Sequence, residues 1–268
     1  MREVQKLPVP GPLQDHPRDT VSPEELRRAL WQWLDQIPGE LQAGGQAPTF
    51  ASWLRALGRH ERYSAFNRSL IAMQAPRTPA VGIPGYWKAQ GRTLFPGAQP
   101  IFVLAYEDGE WRPQEVYPLE ETEGAPYAAD YALEPALVED FVTSLRVRVR
   151  WYPGSERWHF DPEEGVLTLG RAMLPEDALE VALVANELVL RGNTDPESKV
   201  VAVAAASAFM VRFGVDWTRT PEAPRKLHAF RRHFENPRQW RQQRKAIEAA
   251  LQQMEAFYQS FLVDHEEV

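Results

Sequence analysis

Cysteine is absent from this chain, which excludes disulfide staples, thiolate metal sites and cysteine nucleophiles. Histidine is sparse. His16, His60, His159, His228, His233 and His265 show no spacing at which two imidazoles would share a metal ion. No apolar run is long enough to cross a bilayer. The opening stretch MREVQKLPVPGPLQDHPRD also lacks the apolar core and small-residue cleavage site of a secretory signal. A cytoplasmic address with no membrane partner is the resulting expectation. A positive overall field is missing too, because the formal net charge of −7 argues against coating nucleic acid through bulk charge.

What is present is organised in blocks. Between residues 55 and 92 the cations Arg55, Arg59, Arg62, Arg68, Arg77, Lys88 and Arg92 meet a single acid, Glu61. Between residues 107 and 140 the balance reverses, with Arg112 alone against eleven acids. Residues 225 to 245 are basic again. A length of 268 residues suits one large domain or two modest ones. The acidic stretch between Glu120 and Asp130 is where two would meet.

Local patterns predict an α+β chain. Residues 1 to 20 are Pro-rich and aperiodic, as a disordered tail would be. Ser22-Pro23-Glu24-Glu25 is a capping box that opens a helix through Leu26, Leu30, Trp33, Leu34 and Ile37, and PGELQAGGQAP ends it. FASWLRALGR and YSAFNRSLIAMQ predict two more helices, and IPGYWKAQG a shorter one closed by Gly91 in the left-handed conformation. Asp108-Gly109 joins two β-rich runs as a hairpin. A helix then falls in EPALVEDFVTSL, strands in RVRVRWYP and RWHFDPEEGVLTLG, and helices from Pro175 to the end. The apolar stripe Leu251, Met254, Phe257, Tyr258 and Phe261 belongs against the body or a second subunit.

The basic block carries Tyr63, Phe66, Tyr86, Trp87 and Phe95 among its cations, with the amides Asn67 and Gln74. Single-stranded nucleic acid is held by this mixture, cations on phosphates and aromatic rings on bases. Core packing is the competing role for each ring.

YSAFNRSLIAMQAPRTPAVGIPGYWKAQGRTLFPGAQPIFVLA resembles the N-terminal domain of ArdC-type antirestriction proteins. The resemblance rests on Tyr63, Ser64, Asn67, Leu70, Ile71, Gln74, Gly82, Trp87, Lys88, Gly91 and Arg92, on the strand IFVLA, and on Thr122-Glu123-Gly124. It covers about residues 50 to 124 and implies a single-stranded DNA-binding domain. DNA contacts are expected from Tyr63, Asn67, Arg68, Gln74, Tyr86, Trp87, Lys88, Arg92 and Phe95. The family is usually Lys-rich where this chain has Phe95-Pro96-Gly97-Ala98-Gln99, a loss of cations that weakens phosphate contact.

The same resemblance implies a zincin-like second domain, in which a strand pair precedes a His-Glu-x-x-His helix and a later helix supplies a third ligand. HFDPEEGVLTLGRAMLPEDALEVALVANELVLRGN follows that layout, with Asn186 and Leu190 at the two ligand positions and Glu187 at the general-base position. Leu190 has no donor atom, and residues 198 to 213 contain no Asp, Glu or His. The expectation is a degenerate domain with no metal, no cofactor and no catalytic residues. Glu187 has a structural explanation in Arg191 four residues on, the favoured orientation of a helical ion pair.

The expected organisation is therefore a tail at 1–20, a helical and β-hairpin DNA-binding domain at 21–124, and a zincin-like α+β domain lacking its metal site at 125–268, ending in basic helices. The expected function is non-catalytic single-stranded DNA binding in DNA repair, recombination or protection. Two rivals stand beside it. One is a pseudo-peptidase module that binds a protein partner without binding DNA. The other is a surviving enzyme dependent on Glu187.

Overall fold

The computed structural model describes residues 21–45, 47–127, 135–234 and 236–266; the expected tail at 1–20 lies outside them. The chain forms two compact units divided between residues 129 and 130.

The first unit is a helical cluster on a small sheet. Helix α1 (Pro23–Leu34) starts at the capping box, with Ser22 N–H donating to Glu25 Oε2 at 2.8 Å and Glu25 N–H to Ser22 Oγ at 3.2 Å. Its apolar face, Leu26, Leu30 and Leu34 among others, is buried. The segment expected to end this helix instead forms a separate six-residue helix, α2 (Ile37–Gln42), with Pro38 in its first turn. That helix serves its successor. Helix α3 (Pro48–Arg59) begins after Ala47, which has φ +44° and offers no capping side chain, so Glu40 of α2 reaches across and accepts from Thr49 N–H at 2.9 Å. Helix α4 (Ala65–Gln74) is capped by Ser64, whose Oγ accepts from Asn67 N–H.

Strand β1 (Val81–Gly82), helix α5 (Pro84–Ala89) and strand β2 (Arg92–Leu94) follow, then the hairpin β3 (Ile101–Glu107) and β4 (Glu110–Pro118), and strand β5 (Thr122–Gly124). The three-stranded sheet has the order β1-β4-β3, antiparallel throughout, and β2 pairs with β5. Asp108 and Gly109 both have positive φ, +52° and +85°, as a two-residue hairpin turn requires. Ile71 of α4 closes a core with Val81, Ile101, Val103 and Val116, and Tyr63 packs against it.

The second unit is an α+β layer. Helix α6 (Pro135–Ser144) leads to a sheet of order β6-β8-β7, made of β6 (Arg148–Tyr152), β7 (Trp158–Asp161) and β8 (Val166–Gly170). The antiparallel β7–β8 pair precedes helix α7 (Pro175–Arg191), which opens on Pro175 with Glu176 and Asp177 in its first turn and closes at Gly192 with φ +60°. Helix α8 (Pro196–Met210) is capped by Asp195, which accepts from Ser198 N–H at 2.6 Å, and its alanines 202, 204, 205, 206 and 208 are fully buried. It packs between α7 and the last helix, α10 (Pro237–Glu266). Helix α9 (Ala223–His233) lies against α8 and is tied in by Lys226, whose ammonium pairs with Glu180 of α7 and reaches Ser207 of α8. The C-terminal apolar stripe packs within the unit: Phe141 meets the rings of Phe257, Tyr258 and Phe261 at 5.0–5.8 Å.

Candidate nucleic-acid surface and the cleft around Glu187

The nine residues expected to touch DNA divide by what their side chains already do. Asn67 and Gln74 stand seven apart on α4 and face β3, whose outer edge carries no further strand among the described residues. Asn67 Nδ2 donates to Leu104 O at 2.8 Å, and its Oδ1 accepts from Leu104 N–H at 2.9 Å. Gln74 does the same with Phe102, at 2.8 and 2.9 Å. Two side-chain amides thus imitate a neighbouring strand and close an exposed edge.

Arg68 is buried and cationic, and it is spent on backbone. Its Nε donates to Tyr63 O at 2.7 Å, Nη1 to Leu57 O at 2.6 Å and Nη2 to Glu61 O at 2.8 Å. The positive charge sits against the carbonyl end of α3, where the helix dipole is negative. His60 lies in the same turn, and burial followed by the charges of Arg59 and Arg68 lowers its pKa to about 3. It is therefore neutral at physiological pH.

Trp87 is fully buried, and its Nε1 donates to Tyr117 O at 2.9 Å. Arg92 is half-buried and holds Thr122 through Oγ1 at 2.8 Å and through its carbonyl at 2.9 Å, with Ala125 O as third acceptor. The β2–β5 crossing leaves no room there. A Cβ on Gly124, which has φ +134°, would stand 2.4 Å from Gly91 O. Asn67, Arg68, Gln74, Trp87 and Arg92 accordingly build the unit, and the expectation that they meet DNA does not fit their positions. A buried ring cannot stack on a base, and a guanidinium held by carbonyls is not available to phosphate.

The remaining four lie further out. Tyr63 is half-buried with its hydroxyl toward Val81 O, and burial followed by neighbouring Tyr86 pushes the phenol above its ordinary pKa. Tyr86 is half-buried, Lys88 is exposed and Phe95 is 41% exposed. Tyr86 and Lys88 flank the buried Trp87, about 100° to either side of it around α5. The exposed Arg62 was not among the expected contacts. Its guanidinium carbon lies 5.3 Å from the Tyr86 ring centroid, a cation and an aromatic face presented together. Its place in the basic block was the signal for it.

In the second unit α6, α7 and α10 line a cleft of about 670 Å³ that contains Asn186, Glu187 and Leu190. Asn186 Oδ1 accepts from Arg146 N–H at 2.8 Å. Glu187 is 2% exposed, and its Oε1 accepts from Arg191 Nε at 2.7 Å, as the i, i+4 spacing predicts. Its Oε2 has no hydrogen-bond partner among the described residues. Burial pushes the carboxyl above the usual range, with the charge and hydrogen bond of Arg191 opposing. Leu190 is 39% exposed at the rim.

These two units carry an α+β fold of the ArdC type. The crystal structure of the antirestriction protein ArdC from plasmid R388, in its Mn(II)-bound form, matches with a TM-score of 0.50 at 12% sequence identity, covering 85% of this chain and 97% of that one. The metal-free structure of the same protein matches with a TM-score of 0.48 at 10% identity, covering 88% and 98%. No family model and no curated protein matches the sequence. The residues at the expected ligand positions do not fit a metal ion like the one in that Mn(II)-bound structure. Asn186 has its oxygen committed to Arg146, Leu190 offers no donor, and residues 198 to 213 supply no acid or imidazole. No described cluster of three His, Cys, Asp or Glu stands in for them. No helix among the described residues is long and apolar enough to cross a membrane.

Proposed function

We propose that the chain is a non-catalytic single-stranded DNA-binding protein whose first unit holds the strand through Arg62, Tyr86, Lys88 and Phe95, with Tyr63 behind them. The observation that carries this reading is the exposed Arg62 guanidinium over the Tyr86 ring, on a unit whose other exposed cations include Lys88 and Arg77. Cations follow phosphates and aromatic faces take bases, each stacked base contributing about 1–3 kcal/mol. A fold shared with an antirestriction protein supports a role in protecting DNA, with repair and recombination as the neighbouring settings. In the second unit Arg238 and Lys245 are exposed along α10 and offer that unit phosphate contacts of its own, whereas Lys226 and Arg244 are bound to Glu180 and Glu248.

Titration of a fluorescent oligonucleotide across salt concentrations tests this. Arg62→Ala/Lys88→Ala should bind more weakly and lower the salt slope by about 1.4, since each phosphate contact on a single strand contributes about 0.7. Absence of salt-sensitive binding by the unmodified chain, or full binding by the double variant, contradicts the proposal.

One feature favours a second reading, a protein-interaction module. Tyr106 and Trp111 pair across the β3–β4 hairpin with ring centroids 5.2 Å apart, 63% and 50% exposed, among Glu107, Asp108 and Glu110. Acids around an aromatic pair repel phosphate and suit a basic peptide. That reading predicts peptide binding abolished by Trp111→Ala and no oligonucleotide binding at all.

A further inference from the structure

The Glu187 cleft is a site with its own unspent polar groups. Three facts about it are independent. First, Glu187 lines a cleft whose walls include Phe141, Leu183, Met254 and Phe257, and its Oε2, closed off from solvent beside that cleft, has no described donor. An orphaned acceptor of this kind is costly, more so when charged, so leaving it unpaired needs a reason. Second, Arg146 N–H holds Asn186 Oδ1, which fixes the orientation of the amide and leaves the Nδ2 amino group as a donor in the same cleft. Third, the charged residues lining the cleft among the described residues are Arg146, Glu187 and Arg191. Arg191 already neutralises Glu187, and Arg146 is exposed at the rim, so the described lining is net positive whether or not Glu187 is ionised.

The ligand that answers all three is flat and apolar on its faces, carries a neutral donor beside an acceptor on its edge, and bears an anion. A cationic side chain is disfavoured by the net positive charge, and an aliphatic ligand leaves both polar groups unpaired. We propose that the cleft binds a nucleotide: a purine or pyrimidine base enters between the apolar walls, its edge accepts from Asn186 Nδ2 and donates to Glu187 Oε2 once the carboxyl turns from its closed position toward the cleft, and its phosphate meets Arg146. The volume of about 670 Å³ lies within the range of small-molecule sites. Carboxylates accept from the exocyclic amine of cytosine and amides pair with base edges in the same way wherever proteins read bases. The site belongs to the second unit alone and does not depend on strand binding by the first.

Equilibrium dialysis of the full chain with dCMP and dGMP tests the proposal, with deoxyribose 5-phosphate as the control lacking a base and acetyl-Ala-Leu-Ala amide as a peptide probe. Leu190→Trp fills the cleft from an exposed position and leaves the buried core alone. The expected result is nucleotide binding at least about tenfold tighter than the sugar phosphate, reduced about tenfold or more by Leu190→Trp and by Glu187→Gln, a change of about 1.4 kcal/mol or more. Arg146→Ala should weaken dGMP and leave deoxyguanosine unchanged. No nucleotide bound by the folded chain, equal binding by Leu190→Trp, or tighter binding of the peptide than of either nucleotide overturns the proposal. Oligonucleotide binding without mononucleotide binding would overturn the cleft and spare the strand-binding reading; mononucleotide binding without oligonucleotide binding would do the reverse.

Discussion

Helices α4 and α7 each carry polar residues toward the interior, and they treat them in opposite ways. On α4, Asn67, Arg68 and Gln74 meet backbone donors and acceptors at 2.6–2.9 Å and close a strand edge and a helix end. On α7, Asn186 and Glu187 each make one bond and retain one group, an amino donor and a carboxylate oxygen, in residues that line a cleft. Residues that look equally functional by type are separated by whether their bonding capacity is already used. Full use marks scaffold; unspent capacity beside a cavity, or an exposed cation over a ring, marks a site.

The comparison can be broken first on α4. Arg68→Met removes the donor to three carbonyls in a turn shielded from water, and Trp87→Ala empties a fully buried indole site. Each should cost about 3–5 kcal/mol of stability, read from urea unfolding. A loss below 1 kcal/mol would place these side chains on the surface instead. Asn67→Ala and Gln74→Ala each leave an N–H and a C=O of β3 unpaired, and each should cost about 1–3 kcal/mol. Aggregation should rise with them, because an uncovered strand edge recruits another chain.

Acid acts next, through His60. Its folded pKa is lowered to about 3, so below the ordinary value near 6.5 the unfolded chain binds a proton that the native chain refuses. This contribution is fully present above about pH 6.5 and is lost as pH falls toward 3, at up to about 1.4 kcal/mol per pH unit. His60→Gln should remove that part of the slope in urea midpoints measured between pH 6 and 4. An unchanged slope contradicts the burial argument.

Glu187 gives the smallest and most pointed effect. Its carboxyl is raised in the folded state, so the native chain binds more protons than the unfolded one in that window, and stability falls as pH rises through it. Glu187→Gln should therefore gain on the parent between pH 4 and pH 7, despite losing the ion pair with Arg191. A parent that becomes the more stable protein as pH rises would show that the ion pair outweighs desolvation and that α7 is scaffold like α4.

Much of the fold was legible. The Ser22 capping box, the left-handed Gly91, the Asp108-Gly109 hairpin and the Glu187–Arg191 pair depend on residues close in sequence, and each forms as its spacing predicts. Helix α2 was missed because Pro and Gly read as a terminator, although proline at a first turn is also a start signal. The site residues were harder for a physical reason. Whether Asn67 meets DNA or Leu104 is decided by a strand 37 residues away, and type alone does not carry that information. A signal was there: Asn67, Ile71 and Gln74 share one helical face, and an amide on either side of a core isoleucine belongs to the interior.

The decisive measurement sets the two kinds of polar residue against each other in one assay. Oligonucleotide affinity and its salt slope are compared for Asn67→Ala, Gln74→Ala and Arg62→Ala/Lys88→Ala, alongside their urea midpoints. The two amide variants should lose stability and keep the parental affinity and slope when folded, while the Arg62/Lys88 variant should keep its midpoint and lose both. Loss of affinity in folded Asn67→Ala or Gln74→Ala with an unchanged midpoint would contradict it.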